Sequence, residues 1–189
     1  KLNGVSHGFV SSEPKVSFPR DFCRYETGVL EYEDVCGDGV VDPLFLIGSA
    51  DYAELVSSAE YEIPDPCIAF DGGSLSQVEK DYIGAFSKRH NMNAVNLSSD
   101  MDVEKWISLI MGAAYVVSGS HDSACMAVIF QKPFVLSGDG ASQESASLEK
   151  LGIDAQVWDG SEELSDSVFV VRQNKPLFAS SIGRARGAL

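Results

Sequence analysis

Positive charge is scarce in this chain. Fourteen Lys and Arg stand against 28 Asp and Glu, a formal net charge of −14 over 189 residues. That balance repels phosphate backbones and anionic bilayers, so neither nucleic acid nor a charged membrane surface is expected as a partner. No apolar run of about 18 residues occurs, so no membrane span is expected either. Cysteine is sparse: Cys23, Cys36, Cys67 and Cys125 form no C-x-x-C pair and no Cys/His cluster at zinc spacing. No disulfide, cofactor or metal is therefore called for, and the expected location is cytoplasmic. Cys67 and Cys125 lie in apolar surroundings and read as buried structural thiols. The sequence also lacks a Walker loop, a dinucleotide-binding glycine fingerprint, internal repeats and heptads. No secretory leader is legible in Lys1 to Pro19, a polar stretch with Gly, Ser and Pro. Because it opens on Lys1 instead of Met, the chain is expected to be part of a longer or processed one.

Apolar material is plentiful, at 44% of residues, enough to fill a core. Residues 1–21 show no periodicity and read as a linker or a remnant of an upstream segment; residues 22–189 read as one domain. Asp21 to Tyr32 suits short strands, with Gly37-Asp38-Gly39 as a turn. From Leu44 a rhythm begins. Short apolar runs at Leu44–Ile47, Cys67–Phe70, Ala94–Leu97, Ala114–Val117 and Pro133–Leu136 predict strands. Between them lie segments of helical character. Ser49 caps one through about Ala59, and Ser74 or Ser76 opens another to His90 with Val78, Tyr82, Ile83 and Phe86 on one face. Asp102 opens a third with Val103, Trp106, Ile107 and Ile110 inward, and an apolar helix follows Asp122. A further helix ends near Gly152, and another closes the chain. Apolar strands alternating with helices predict a Rossmann-like α/β fold, a parallel sheet covered on both faces.

In such folds ligands gather beyond the carboxyl ends of the strands. That rule nominates Asp71-Gly72-Gly73, Ser98–Asp102, Ser118–Ser123 and Ser137–Ser142. The third is the richest. Ser118, Gly119 and Ser120 turn a strand into a helix that begins around His121, Asp122 and Ser123. A helix start offers free N–H groups and a positive dipole end, which suits a phosphate or carboxylate. His121 adds a donor or an acid–base group. A plain N-cap at Ser120 or Asp122, with His121 facing solvent, explains the same residue types. In the fourth loop, Gly138 and Gly140 let backbone approach a ligand, though an ordinary connection accounts for them equally well. Trp106 reads as core, and His7 and His90 have no partner in view.

The chain resembles the C-terminal, donor-side half of the polysaccharide pyruvyl transferases. The likeness lies in Val41-Asp42-Pro43-Leu44-Phe45-Leu46, Val103-Glu104-Lys105-Trp106-Ile107, Ala113-Ala114-Tyr115-Val116-Val117-Ser118 and Ala127-Val128-Ile129-Phe130-Gln131-Lys132-Pro133-Phe134. Arg24-Tyr25-Glu26 lies near the family's Arg-Glu pair. The similarity runs over about residues 22–189. It implies a two-domain fold like the GT-B glycosyltransferases, with an N-terminal partner domain. It also implies transfer of a pyruvyl group from phosphoenolpyruvate to a sugar or glycan acceptor as a ketal. By the same resemblance the donor-side domain supplies a His and cationic residues. Here the donor would meet Ser118, Gly119, Ser120, Asp122, Ser123, Gly138 and Gly140, with His121 as the catalytic acid and no metal.

Two departures from the family pattern stand out. The family's Ser-Phe-His-Gly reads Ser120-His121-Asp122-Ser123, which moves the imidazole by one position, about 100° around a helix. Where the family opens its next helix with Arg, this chain has Ser142-Gln143-Glu144-Ser145. They keep two other readings open. One is a diverged, non-catalytic domain that binds a partner or a glycan. The other is a nucleotide-sugar donor domain in which Asp139 or Glu144 holds a ribose hydroxyl.

Overall fold

The computed structural model describes residues 42–57, 61–98 and 100–187. The strand pairing expected within Asp21–Tyr32, the Gly37–Gly39 turn, Arg24, Cys23, Cys36 and the boundary at residue 22 lie outside these residues. The chain divides into two compact units, residues 48–174 and a second made of residues 1–47 with 175–189.

Residues 48–174 form a Rossmann-like α/β fold. In chain order the elements are α1 (Ser49–Val56), β1 (Cys67–Phe70), α2 (Gln77–Arg89), β2 (Asn93–Asn96), α3 (Val103–Gly112) and β3 (Tyr115–Ser118). They continue with α4 (His121–Ile129), β4 (Phe134–Leu136), α5 (Ala141–Lys150), β5 (Ile153–Asp154), a 3-10 turn (Asp166–Phe169) and β6 (Arg172–Gln173). Four parallel strands make the main sheet, in the order β2-β1-β3-β4. Its register pairs Ile68 with Ala94 and Tyr115, and Val117 with Val135. β5 and β6 form a small antiparallel pair.

Local chemistry explains the element limits. Ser76 caps α2 in a reciprocal box: its hydroxyl accepts from the Glu79 N–H, and Glu79 Oε2 accepts from the Ser76 N–H at 2.7 Å. Glu79 is itself buried, while Val78 is 54% exposed. The helical face therefore runs through Glu79, Ile83 and Phe86, not through Val78 as expected. Burial pushes the Glu79 carboxyl up. Hydrogen bonds from the Ser76 and Ser137 hydroxyls and the Ser76 N–H outweigh that effect, and nearby Asp159 only partly opposes them, so it sits below the ordinary carboxylate range.

One strand and one helix expectation are corrected. β2 is not apolar on both faces: Asn93, Ala94 and Asn96 are exposed, as suits the edge of the sheet. In α3, Val103 is exposed and Trp106 only half-buried; burial concentrates on Ile107 to Ile110. The centre of the sheet behaves as expected. Ile68, Val117 and Val135 are fully buried, joined by Ile83 and Phe86 from α2 and by Trp158, Leu164 and Phe169 from the segment after β5. Cys67 and Cys125 are buried and not in a disulfide, and burial pushes the Cys67 thiol up. Among the described residues no helix is long and apolar enough to cross a membrane.

Within the second unit, Leu44–Ile47 is not a strand. Asp42 Oδ1 accepts from the Leu44 N–H at 2.7 Å and Pro43 pre-sets the first turn, so Pro43–Leu46 winds into a 3-10 helix. Its Phe45 ring meets Phe178 of α6 (Lys175–Gly187) edge-on at 5.5 Å.

Candidate functional site

β1, β3 and β4 deliver three of the four nominated loops to one edge of the sheet. Asp71, just past β1, is the hub. Its Oδ2 accepts the Gly119 N–H at 3.0 Å, the Ser120 hydroxyl at 3.0 Å and the Ser123 hydroxyl in a short hydrogen bond. Ser118, 1% exposed, shares a 2.6 Å hydrogen bond with Ser123, and its hydroxyl also lies 2.8 Å from the Ser120 carbonyl. Ser120 is the N-cap of α4, its hydroxyl accepting from the Ser123 N–H. Beside the helix start that the sequence offers to an anion there is thus already a carboxylate, Asp71, held by the Gly119 N–H and two serine hydroxyls and complementing the helix dipole.

The glycines of this rim serve loop packing. A Cβ on Gly119 would collide with the Ser74 hydroxyl. Gly138 has a φ of +90°, and a Cβ there would come within 3.2 Å of Ser74. Ser74 therefore seats in a niche left by two absent side chains, and this ties loop 71–74 to loops 118–120 and 137–138. Gly140 precedes α5 as its N-cap and has open space around it. Below it, Ser137 is 2% exposed and reaches Glu79 Oε1 at 2.7 Å and the Trp158 carbonyl at 3.0 Å.

His121 opens α4 and does not simply face solvent. Its Nδ1 lies 2.7 Å from Glu144 Oε2, with the two side chains 27% and 14% exposed. An ionised carboxylate only accepts, so Nδ1 is the donor of this bond. Nε2 lies 3.4 Å from Cys125 Sγ, one turn along the same helix. Glu144 Oε1 is buried without a hydrogen-bond partner among the described residues. Asp122, in the first turn of α4, is exposed.

The fold thus gathers Ser118, Gly119, Ser120, His121, Ser123 and Gly138 at one rim, with Gly140 at its edge. Ser98–Asp102, beyond β2, makes local contacts: the Ser98 hydroxyl donates to Asp100, and the Ser98 carbonyl accepts the Met101 N–H. Sequence reasoning had weighed Glu144 only for its sign or as a ribose acceptor. Its link to His121 spans 23 positions and leaves no local pattern. The His121–Cys125 spacing was legible as one helical turn but is not a zinc-finger interval. Of the basic residues that could converge on the site, Lys88 and Arg89 occupy the last turn of α2, at the opposite edge of the sheet; Lys80 lies near the start of α2, and Arg24 lies outside the described residues. Asp71 and Glu144 take no hydrogen bond from Lys or Arg among the described residues. No protein-family model, curated protein or solved structure matches the chain.

Proposed function

We propose that this chain carries the donor-side domain of a transferase of the polysaccharide pyruvyl transferase kind, with His121 as its acid–base group. The observation that carries this reading is the 2.7 Å contact between His121 and Glu144. A carboxylate on Nδ1 fixes the orientation of the ring, which supports an acid–base role for it. His121 stands where parallel-sheet proteins bind ligands, at the start of α4 just beyond β3. In the reaction, protonation turns the methylene carbon of phosphoenolpyruvate into a methyl group. The neighbouring carbon takes two sugar hydroxyl oxygens as the ketal, and phosphate leaves.

A second reading has its own support. Asp71 already stands beside the helix start, and neither it nor Glu144 is paired with Lys or Arg among the described residues. Such a rim suits the hydroxyl groups of an uncharged glycan better than a phosphate, and a non-catalytic domain needs no more than that. Thermal unfolding of the chain in increasing phosphoenolpyruvate separates the two. A ligand at 100 times its dissociation constant stabilises by about 2.7 kcal/mol. The transferase reading expects saturable stabilisation that is weakened in His121→Ala and Glu144→Gln. No response at millimolar phosphoenolpyruvate, with a saturable response to a neutral oligosaccharide, selects the second reading.

A further inference from the structure

His121 and Cys125 sit one turn apart on α4, so their side chains leave the same face of one rigid element. Their Nε2 and Sγ atoms are 3.4 Å apart. Zinc holds nitrogen at about 2.0–2.1 Å and sulfur at about 2.3 Å, and a tetrahedral angle then separates the two ligand atoms by about 3.6 Å. The observed spacing already approximates that edge. The other ring nitrogen is engaged as in metal-bound histidines, where a carboxylate on the far nitrogen fixes the tautomer and raises ligand basicity; Glu144 does so at 2.7 Å. A thiolate with an imidazole is a soft donor set, which selects zinc-like ions over magnesium or calcium.

We infer that His121 Nε2 and Cys125 Sγ form a two-ligand site for a thiophilic divalent cation of the zinc class, with Glu144 as its outer carboxylate. Cys125 is fully buried, whereas 27% of the His121 side chain is exposed. Binding displaces the thiol proton to solvent and therefore strengthens as pH rises. The inference stands apart from the transferase reading, although an ion on Nε2 withdraws that nitrogen from acid–base work.

The test is a titration of the reduced full chain with cobalt(II), read by thiolate-to-cobalt charge-transfer absorption. A saturable band with one ion per chain is expected. It should vanish in Cys125→Ser, and Glu144→Gln should weaken binding by about 10–100-fold. No band at millimolar cobalt overturns the proposal, as does a band that persists in Cys125→Ser. Should Cys125→Ser fail to fold, His121→Ala decides: unchanged affinity overturns the site and weakened affinity supports it. None of these readouts involves phosphoenolpyruvate, so failure here is distinct from failure of the transferase reading.

Discussion

Two histidine–carboxylate pairs lie at opposite edges of the same sheet. At the amino edge, His90 Nε2 is 3.7 Å from Asp166 Oδ2, and Asp166 is 63% exposed. The imidazole rests on the Phe86 ring at 4.3 Å, and Phe86 in turn meets Tyr115 and Phe169 at 5.4 Å. Asp166 also accepts the Tyr115 hydroxyl at 3.0 Å; burial first, then that bond and charge, push the phenol up. At the carboxyl edge, His121 and Glu144 are 2.7 Å apart and Glu144 is 14% exposed. Water screens the first pair and largely leaves the second unscreened. His90 is held by the aromatic stack under it, and its carboxylate adds little. His121 is held by its carboxylate.

The largest effect expected from breaking this comparison lies under the amino-edge pair. Phe86→Ala empties the centre of the aromatic stack and should cost about 3–5 kcal/mol in urea unfolding. Next comes the hub of the other edge. Asp71→Ala strands the Gly119 N–H and removes one partner each from the Ser120 and Ser123 hydroxyls, for a loss of about 1–3 kcal/mol by the same measurement, with Asp71→Asn losing less.

Glu79 gives a pH signature. Its folded value lies below the ordinary carboxylate value, so its contribution is complete above about pH 4.3, where the unfolded chain titrates. That contribution is lost as pH falls through the lowered folded value. Unfolding curves between neutral and acid pH should show a shallower acid decline in Glu79→Gln than in the parent chain. The smallest effect belongs to the exposed pair of Arg89 and Glu163, 3.4 Å apart with side chains 50% and 64% exposed. Glu163→Ala should change stability by less than about 1 kcal/mol. Arg89→Ala should cost somewhat more, because the guanidinium also donates to the Leu164 carbonyl at 2.5 Å.

Much of the fold was legible because its signals are local. The apolar runs at Cys67–Phe70, Ala114–Val117 and Pro133–Leu136 became strands over Cys67–Phe70, Tyr115–Ser118 and Phe134–Leu136, and Ser76 and Ser120 became N-caps. Leu44–Ile47 misled because Asp42-Pro43 carries a turn signal stronger than four apolar residues carry for a strand. At the site the same boundary holds. Loop 118–123 could be nominated from chain order alone, but its occupant, Asp71, comes from 48 positions upstream and its histidine's partner from 23 downstream. Such pairings depend on strand order, which no local spacing encodes. His90 shows the same limit for its carboxylate, since Asp166 reaches it only once the 3-10 turn has packed, whereas Phe86 lies one helical turn away on α2.

The central claim, that the rim at His121 handles an anionic donor, is tested most directly by mapping amide chemical shifts of the chain during a phosphoenolpyruvate titration. The account predicts saturable shifts concentrated at Gly119, Ser120, His121 and Ser123, lost in His121→Ala. Shifts scattered over the surface, or none at millimolar ligand, would contradict it and leave a domain whose own Asp71 holds the place of the donor.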